Sequence, residues 1–400
     1  MPRLRLLTAG ESHGPALVAI LEGLPHGLTV EKSAIDLDLK RRQGGYGRGG
    51  RMKIEKDVVR VLGGLRGGRT MGSPLALVVD NLDHASWTDV MDPFAAPSGE
   101  RSKALTRPRP GHADLSGALK LGLHDARDVL ERSSARSTVA RVAAGAVCKA
   151  LLSACGVELM SHVTRIAGAE APPLDTGALG GDAAAIADYL IAARARAETS
   201  EVRCCDEAAS AAMIAEIAAA QKNGDSVGGV VEVVAWGAPA GLGSHVEWDL
   251  RLDGRIAQAL MSIQAMKGVE VGLGFETAAR RGSEVHDPIY WQNGQFIRPS
   301  NHAGGVEGGN TNGEPIVARA AMKPIPTLAR PLPSVDLATK QPFDAQKERT
   351  DSCAVPAAAV VAEAALAFVI ADALLDKTGG DSMDEVLRNL KGYREQLAQY

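Results

Sequence analysis

Apolar residues follow two different periods along the chain. In the first fifth they form short runs between turn residues: Ala16 to Leu21 is unbroken and ends at Gly23, and a later run ends at Asp80-Asn81, which predicts short strands and turns. From Ser137 through Ala154 the spacing changes. Val139, Val142, Ala143, Ala146, Val147, Ala150 and Leu151 fall on one helical face, and Gly156 supplies a stop, so a helix is predicted. Val227 to Gly237 and Gly268 to Phe275 read as strands. Ala354 to Leu375 is the most membrane-like stretch, but Pro356, Glu363 and Asp372 interrupt it and its bulk is Ala and Val, so a buried helix is expected. Residues about 169–220 are Ala-rich with polar, Gly and Pro interruptions and read as a peripheral helical region rather than a separate domain. The charged tail, about 376–400, reads as a solvated helix. Strand and helix segments intermix without a clear linker or internal repeat, so residues 1–400 are expected to form a single domain.

Composition narrows the class. With 400 residues, 45% hydrophobic and 23% charged, the chain is neither disordered nor fibrous. Length alone suggests roughly two or three domains of ~150 residues, a prior that one large layered domain defeats. Aromatics are only 4% of residues while Ala, Gly and Val abound, so thin layers with close backbone approach fit better than a bulky core. A net charge of −4 supplies no overall field for nucleic acid or anionic lipid, and any basic site must be local. The cysteines Cys148, Cys155, Cys204, Cys205 and Cys353 are odd in number and lack CxxC spacing, which suits buried thiols in a reducing compartment. The start, Met1 to Leu7, meets Gly10-Glu11 before an apolar export segment develops; a cytoplasmic protein without membrane contact is expected.

Several segments carry candidate chemistry. Lys40 to Arg51 interleaves cations with glycines and is expected as a basic, flexible loop. Arg41, Arg42, Arg48 and Arg51 could grip phosphate with their guanidinium forks, although an RNA-binding segment or a solvated loop fits the same composition. Gly10-Glu11-Ser12-His13-Gly14 offers His13 as a general acid in a tight turn, or a turn histidine paired with Glu11. Arg107 to Asp114 sets His112 on a proline-stiffened loop, to transfer protons or bind an anion, or merely to pair with Asp114. Arg132 to Ser137 places cations and hydroxyls at a helix start, where unpaired backbone donors face outward. The Gly-rich span 301–310 and the extended Lys323 to Thr327 segment suit a ligand wall. No zinc spacing, HExxH, Walker A or strand-linked GxGxxG occurs, so metal and dinucleotide-fold readings are weak.

Taken in order, GESHG at Gly10, RRQGGYGRGGRMKIE from Arg41, RPGHAD from Arg109, ERSSAR from Glu131, MKPIPT from Met322 and RTDSC from Arg349 resemble the chorismate synthase family. The resemblance spans essentially the whole chain. It implies an α+β fold, a β-α-β sandwich with helices layered between antiparallel sheets, assembled as a homotetramer. It also implies a 1,4-anti elimination of phosphate from 5-enolpyruvylshikimate 3-phosphate to chorismate, with reduced FMN required and no net redox change. By the same resemblance His13 protonates the departing phosphate, His112 sits at the flavin N1 and O2 edge, and Asp351 helps flavin N5 handle the abstracted proton. Arg42 and Arg48 match arginines assigned to anionic substrate or to NADPH. Arg132, Ser133, Ser134, Gln264, Ala265, Gly308, Lys323, Pro324, Ile325, Pro326, Thr327 and Arg349 match the FMN site. Two positions depart: Gln264 stands where Asn is usual and Ser137 where Glu is usual, the latter losing a helix-start carboxylate but keeping a capping hydroxyl. No reductase domain accompanies the motifs, so an external flavin reductant is expected, with NADPH as the alternative. The rivals are an RNA-binding module, with salt-sensitive RNA affinity and no flavin uptake, and an enzyme for another phosphorylated sugar acid.

Overall fold

The computed structural model describes residues 3–50, 54–95, 103–292, 294–348 and 351–400. The N-terminal apolar runs pair as an antiparallel sheet in the order Arg5–Ala9, Ala16–Glu22, Leu75–Asp80, Val59–Gly63. Period-two burial aims Leu17, Ala19 and Leu21 at the core and leaves Ile20 outside, so this sheet has one packed face. A second antiparallel sheet has the order Met266–Val271, Ile316–Met322, Gly229–Trp236, Glu158–Ile166, Ala169–Glu170. The predicted strand from Gly268 to Phe275 stops early, at Val271. Gly272 and Gly274 take φ of +61° and +58°, which turn the chain into a 3-10 segment at Gly274–Ala279.

The predicted helix forms as Thr138–Ala154 and packs on the N-terminal sheet. It also packs along Val355–Thr378, which in turn contacts the large sheet and the helices Lys32–Gln43 and Leu252–Met261. Their crossing depends on small residues: a Cβ added to Gly145 would lie 2.4 Å from Ala364 Cβ, so only glycine allows the two backbones this close. Arg127–Ala154 and Val355–Thr378 are long and apolar enough to cross a membrane, and both are mostly buried inside the protein. Two carboxylates of Val355–Thr378, Glu363 and Asp372, are buried with partners. Glu363 accepts from Arg41, Lys149 and Ser161, and Asp372 from Arg255 and the Leu4 amide.

The region about 169–220 supplies two helices, Ala183–Thr199 and Glu207–Lys222, capped by the Asp182 and Asp206 carboxylates. Ile186, Leu190 and Ala193 of the first cover the outer face of the large sheet at Met160, Val234 and Trp236. The tail continues the core helix to Thr378 and then forms Met383–Gln399, started by a Ser382–Glu385 capping box. It is not wholly solvated: Met383, Val386 and Leu390 recur at helical spacing and join the main hydrophobic core. The basic segment also begins differently from the expected loop. Lys40, Arg41 and Arg42 form the last turn of the helix Lys32–Gln43, where their charge suits the helix dipole, and the glycines start only at Gly44.

Candidate active site

The chain folds its scattered motifs around a cavity of about 450 Å³. Closure of the GESHG turn depends on Gly10, whose φ is +99° and whose added Cβ would lie 2.2 Å from Ala16 O. Asn81 holds the same turn by donating to Gly14 O at 2.7 Å and Glu11 O at 3.1 Å. His13 is thereby buried but lines the cavity. Its partner is Glu131 rather than Glu11: Nδ1 lies 2.7 Å from Glu131 Oε1, and the His13 amide donates to Oε2 at 2.8 Å. The ring stacks on Trp87 with centroids 3.8 Å apart and planes at 22°. Burial pushes the Glu131 carboxyl up, but the His13 contacts and the Arg127 charge outweigh this and hold it below its ordinary value.

His112 occupies the facing loop and does pair with Asp114, Nδ1 to Oδ1 at 2.5 Å, while still lining the cavity. Arg109 completes the arrangement, donating to Asp114 at 2.8 and 3.0 Å and to Thr327 Oγ1 at 3.0 Å. Burial of Asp114 raises its pKa, yet the bonds from His112 and Arg109 prevail and place it well below the carboxylate range. A charged carboxylate therefore orients both the imidazole and the guanidinium.

The remaining cations are held the same way. Arg48 meets Asp351 at 2.5 Å, and the Gly49 amide donates to the other Asp351 oxygen at 2.6 Å. Arg136 meets Asp57 at 2.5 Å, with Arg42 3.8 Å from the same carboxylate. Each carboxylate fixes the direction of its guanidinium. Lys323 is held by the Gly111 carbonyl. Arg41, grouped with Arg42 by sequence, points away into a cage of Asp38, Glu198 and Glu363.

Of the residues singled out from sequence, His13, Arg42, Arg48, His112, Ser133, Ser134, Gln264, Ala265, Lys323, Ile325, Pro326, Thr327 and Asp351 all line this cavity. Three do not. The Arg132 guanidinium is turned to the carbonyls of Thr8 and Gly10, so it braces the histidine turn. Pro324 backs onto Gly228, whose added Cβ would lie 2.8 Å from Pro324 N. Gly308 sits in the Val306–Thr311 hairpin, where the neighbouring Gly309 carbonyl binds the Ser244 and Leu252 amides instead of facing the cavity. Arg349 and Arg51 lie outside the described residues. Ser137 does not cap its helix: its hydroxyl donates to Ser134 O at 2.9 Å and accepts from Gln264 Nε2 at 2.9 Å. Sequence reasoning missed Trp87, Arg109 and Arg136 as lining residues; Arg109 and Arg136 stood inside the quoted motifs, whereas Trp87 carried no motif signal.

The cavity suits a flat, anionic cofactor. Ile263, Met322, Ile325, Pro326, Ala357, Ala358 and Val361 give it an apolar wall, with Arg42, Arg48, Arg109, Arg136 and Lys323 as cations around it. Gln264 adds a buried Oε1 that accepts no hydrogen bond among the described residues.

The sequence profile described as chorismate synthase matches residues 4–375. A relative named chorismate synthase from Desulforudis audaxviator is 56% identical over 401 residues, covering 98% of each chain. Another, from Trichlorobacter lovleyi, is 54% identical over 398 residues, again covering 98% of each. A solved structure titled as a crystal structure of chorismate synthase aligns with a TM-score of 0.79 and 42% identity, covering 100% of both chains.

Proposed function

The chain belongs to the chorismate synthase family, and from that premise we propose that it eliminates phosphate from 5-enolpyruvylshikimate 3-phosphate to give chorismate. On this reading it is a carbon–oxygen lyase of aromatic amino acid biosynthesis that requires reduced FMN. The observation that carries the reading is the convergence of His13, His112, Arg48 and Asp351 on one cavity from segments spread between the first and last eighths of the chain. Substrate and flavin are both anionic and the isoalloxazine is flat, which the ring of cations and the apolar wall suit.

The residues take distinct parts. Arg42 and Arg48 bind the substrate phosphate and carboxylates, and His13 delivers a proton to the departing phosphate. Expelling phosphate from an allylic carbon builds negative charge on the leaving oxygens, which fixed guanidinium and imidazole groups stabilise without reorganising. Reduced flavin, when bound, supplies an electron-rich ring beside the unactivated C6–H bond. His112, Gln264, Ala265 and the Lys323–Thr327 segment would hold that ring, with Ser133 and Ser134 offering hydroxyls at the helix start. Asp351, bonded to Arg48 and the Gly49 amide, would help flavin N5 handle the abstracted proton. We further take the chain as one domain, its central helices as the middle layer of a β-α-β sandwich, its assembly as a homotetramer in the cytoplasm, and its flavin as reduced by an external donor.

The test is an anaerobic assay with dithionite-reduced FMN and 5-enolpyruvylshikimate 3-phosphate. Chorismate absorbance and released phosphate should rise together in equal amounts. Flavin binding without chorismate would point to another phosphorylated sugar acid, and salt-sensitive RNA affinity without flavin binding to an RNA module.

A further inference from the structure

His13 is held on three sides by groups that no family motif assigns to the reaction. Both oxygens of Glu131 are committed to it, one to Nδ1 at 2.7 Å and the other to the main-chain amide at 2.8 Å. The Glu131 carbonyl also accepts from the Ser12 amide at 2.9 Å, so one helical residue fixes both the turn and the ring. Trp87 lies flat against the imidazole, with Lys103 Nζ 3.6 Å and the Arg127 guanidinium 5.3 Å from its own ring centre. Among the described residues, Asp83 lies 4.0 Å from Nε2, and His84 Nδ1 meets the His13 carbonyl at 2.9 Å. Arg127 in turn lies 3.6 Å from Glu131.

We infer that Glu131 is the positioning residue of His13: it fixes the neutral imidazole as the Nδ1–H tautomer, leaving Nε2 as the atom that exchanges protons with the cavity, while Trp87 sets the ring plane. The reasoning is one of donors and acceptors. An ionised carboxylate only accepts, so an imidazole nitrogen 2.7 Å from it must carry the hydrogen. Nε2, 4.0 Å from Asp83, is too far away for a hydrogen bond there.

Replacing Glu131 by Gln makes the inference testable, because an amide has one accepting oxygen and one donating nitrogen. If the oxygen keeps the main-chain amide of His13, the nitrogen must donate to Nδ1, and the neutral ring is forced to the opposite tautomer. Long-range 15N–1H spectra of deuterated, 15N-histidine-labelled enzyme at alkaline pH would read this directly, with His13→Asn identifying the resonance. The expected result is Nδ1–H in the parent and Nε2–H in Glu131→Gln. The same tautomer in both proteins, or Nε2–H in the parent, overturns the inference, and neither readout needs turnover.

The kinetic half rests on the proposed function. There, Glu131→Gln should lower kcat by ~10²-fold with KM for the substrate changed less than ~3-fold, the size of effect expected for misdirecting a general acid. Glu131→Asp, which keeps the charge but not the reach, should retain the parental tautomer and an intermediate kcat, and it also covers the case in which Glu131→Gln fails to fold. Trp87→Ala should lower kcat and Trp87→Phe largely restore it. If the parent enzyme makes no chorismate, the proposed function fails while the tautomer result still judges Glu131. If the parent is active and Glu131→Gln keeps its full kcat, the positioning role fails alone.

Discussion

Ser137 and Gln264, the two positions expected from sequence to depart from the family's pattern, are hydrogen-bonded to each other at 2.9 Å across 127 residues of sequence. Since the Ser137 hydroxyl gives its single proton to Ser134 O, it can only accept from Gln264, and this directs the amide nitrogen toward Ser137 and frees Oε1. The two departures form one unit, in which a shorter side chain at the helix start is matched by a longer one across the cavity.

That pairing predicts non-additivity. Ser137→Glu and Gln264→Asn should each weaken FMN binding, by ~3–10-fold, while the double variant restores most of the loss. Fluorescence titration of FMN with the four proteins would give the coupling, expected at ~1 kcal/mol. Strictly additive losses would show that the two sites act independently.

Adjacent arginines should separate binding from stability. Arg42→Ala removes a cavity cation and should raise the substrate KM ~10-fold or more with only a modest change in urea midpoint. Arg41→Ala strands Glu363, which is 1% exposed, and should cost ~3 kcal/mol of stability while leaving KM near the parent value. Lys149, 2.6 Å from Glu363, limits that loss by sharing its charge.

Two paired groups, the exposed Glu198 and the buried His162, set opposite edges of the stability profile. Burial raises the Glu198 pKa, but bonds from Arg203 and Arg41 prevail and lower it to about 2. Its folded value is depressed, so its contribution is complete above the unfolded value near ~4.5 and disappears as pH falls toward about 2. Burial lowers the His162 pKa, but Cys205 and the Glu232 carboxylate at 2.9 Å prevail and push it up to about 9. Here the folded value is raised, so the contribution is complete below ~6.5 and is lost as pH rises through about 9. Thermal melts across pH should show both declines, and Glu232→Gln should flatten the alkaline one alone.

The helix crossing at Gly145 should tolerate no added carbon. Gly145→Ala would force a Cβ to within 2.4 Å of Ala364 and should cost ~1–3 kcal/mol by denaturant unfolding. Pairing it with Ala364→Gly should recover part of that loss.

What was legible in the sequence follows from the range of the interaction involved. Thr138–Ala154 was readable because a helical face repeats within a few residues, and the buried character of Val355–Thr378 because Pro356 and two carboxylates argued against lipid. The motifs located the cavity walls because each places at least one side chain on the cavity from a short segment, as His13, Arg48, His112, Ser134, Lys323 and Asp351 do. Contacts across the fold were hidden. The Glu131–His13 pair is separated by 118 residues, and nothing local says that His13 should ignore Glu11. Arg41 and Arg42 have the same composition and neighbours, yet consecutive helical positions point about 100° apart, so one enters a carboxylate cage and the other the cavity. The surroundings of Gly308 were equally hidden, because a glycine-rich stretch can serve tight turns as well as ligands, and its hairpin packs on the loop at Ser244.

The most direct test of the central claim, that one cavity holds flavin and substrate together, is an experimental structure of the enzyme with FMN and 5-enolpyruvylshikimate 3-phosphate. The expected result places the isoalloxazine along the Ile325–Pro326 wall beside His112, with the substrate phosphate between His13 and Arg48. Either ligand bound outside this cavity, or a substrate phosphate remote from both His13 and Arg48, would contradict it.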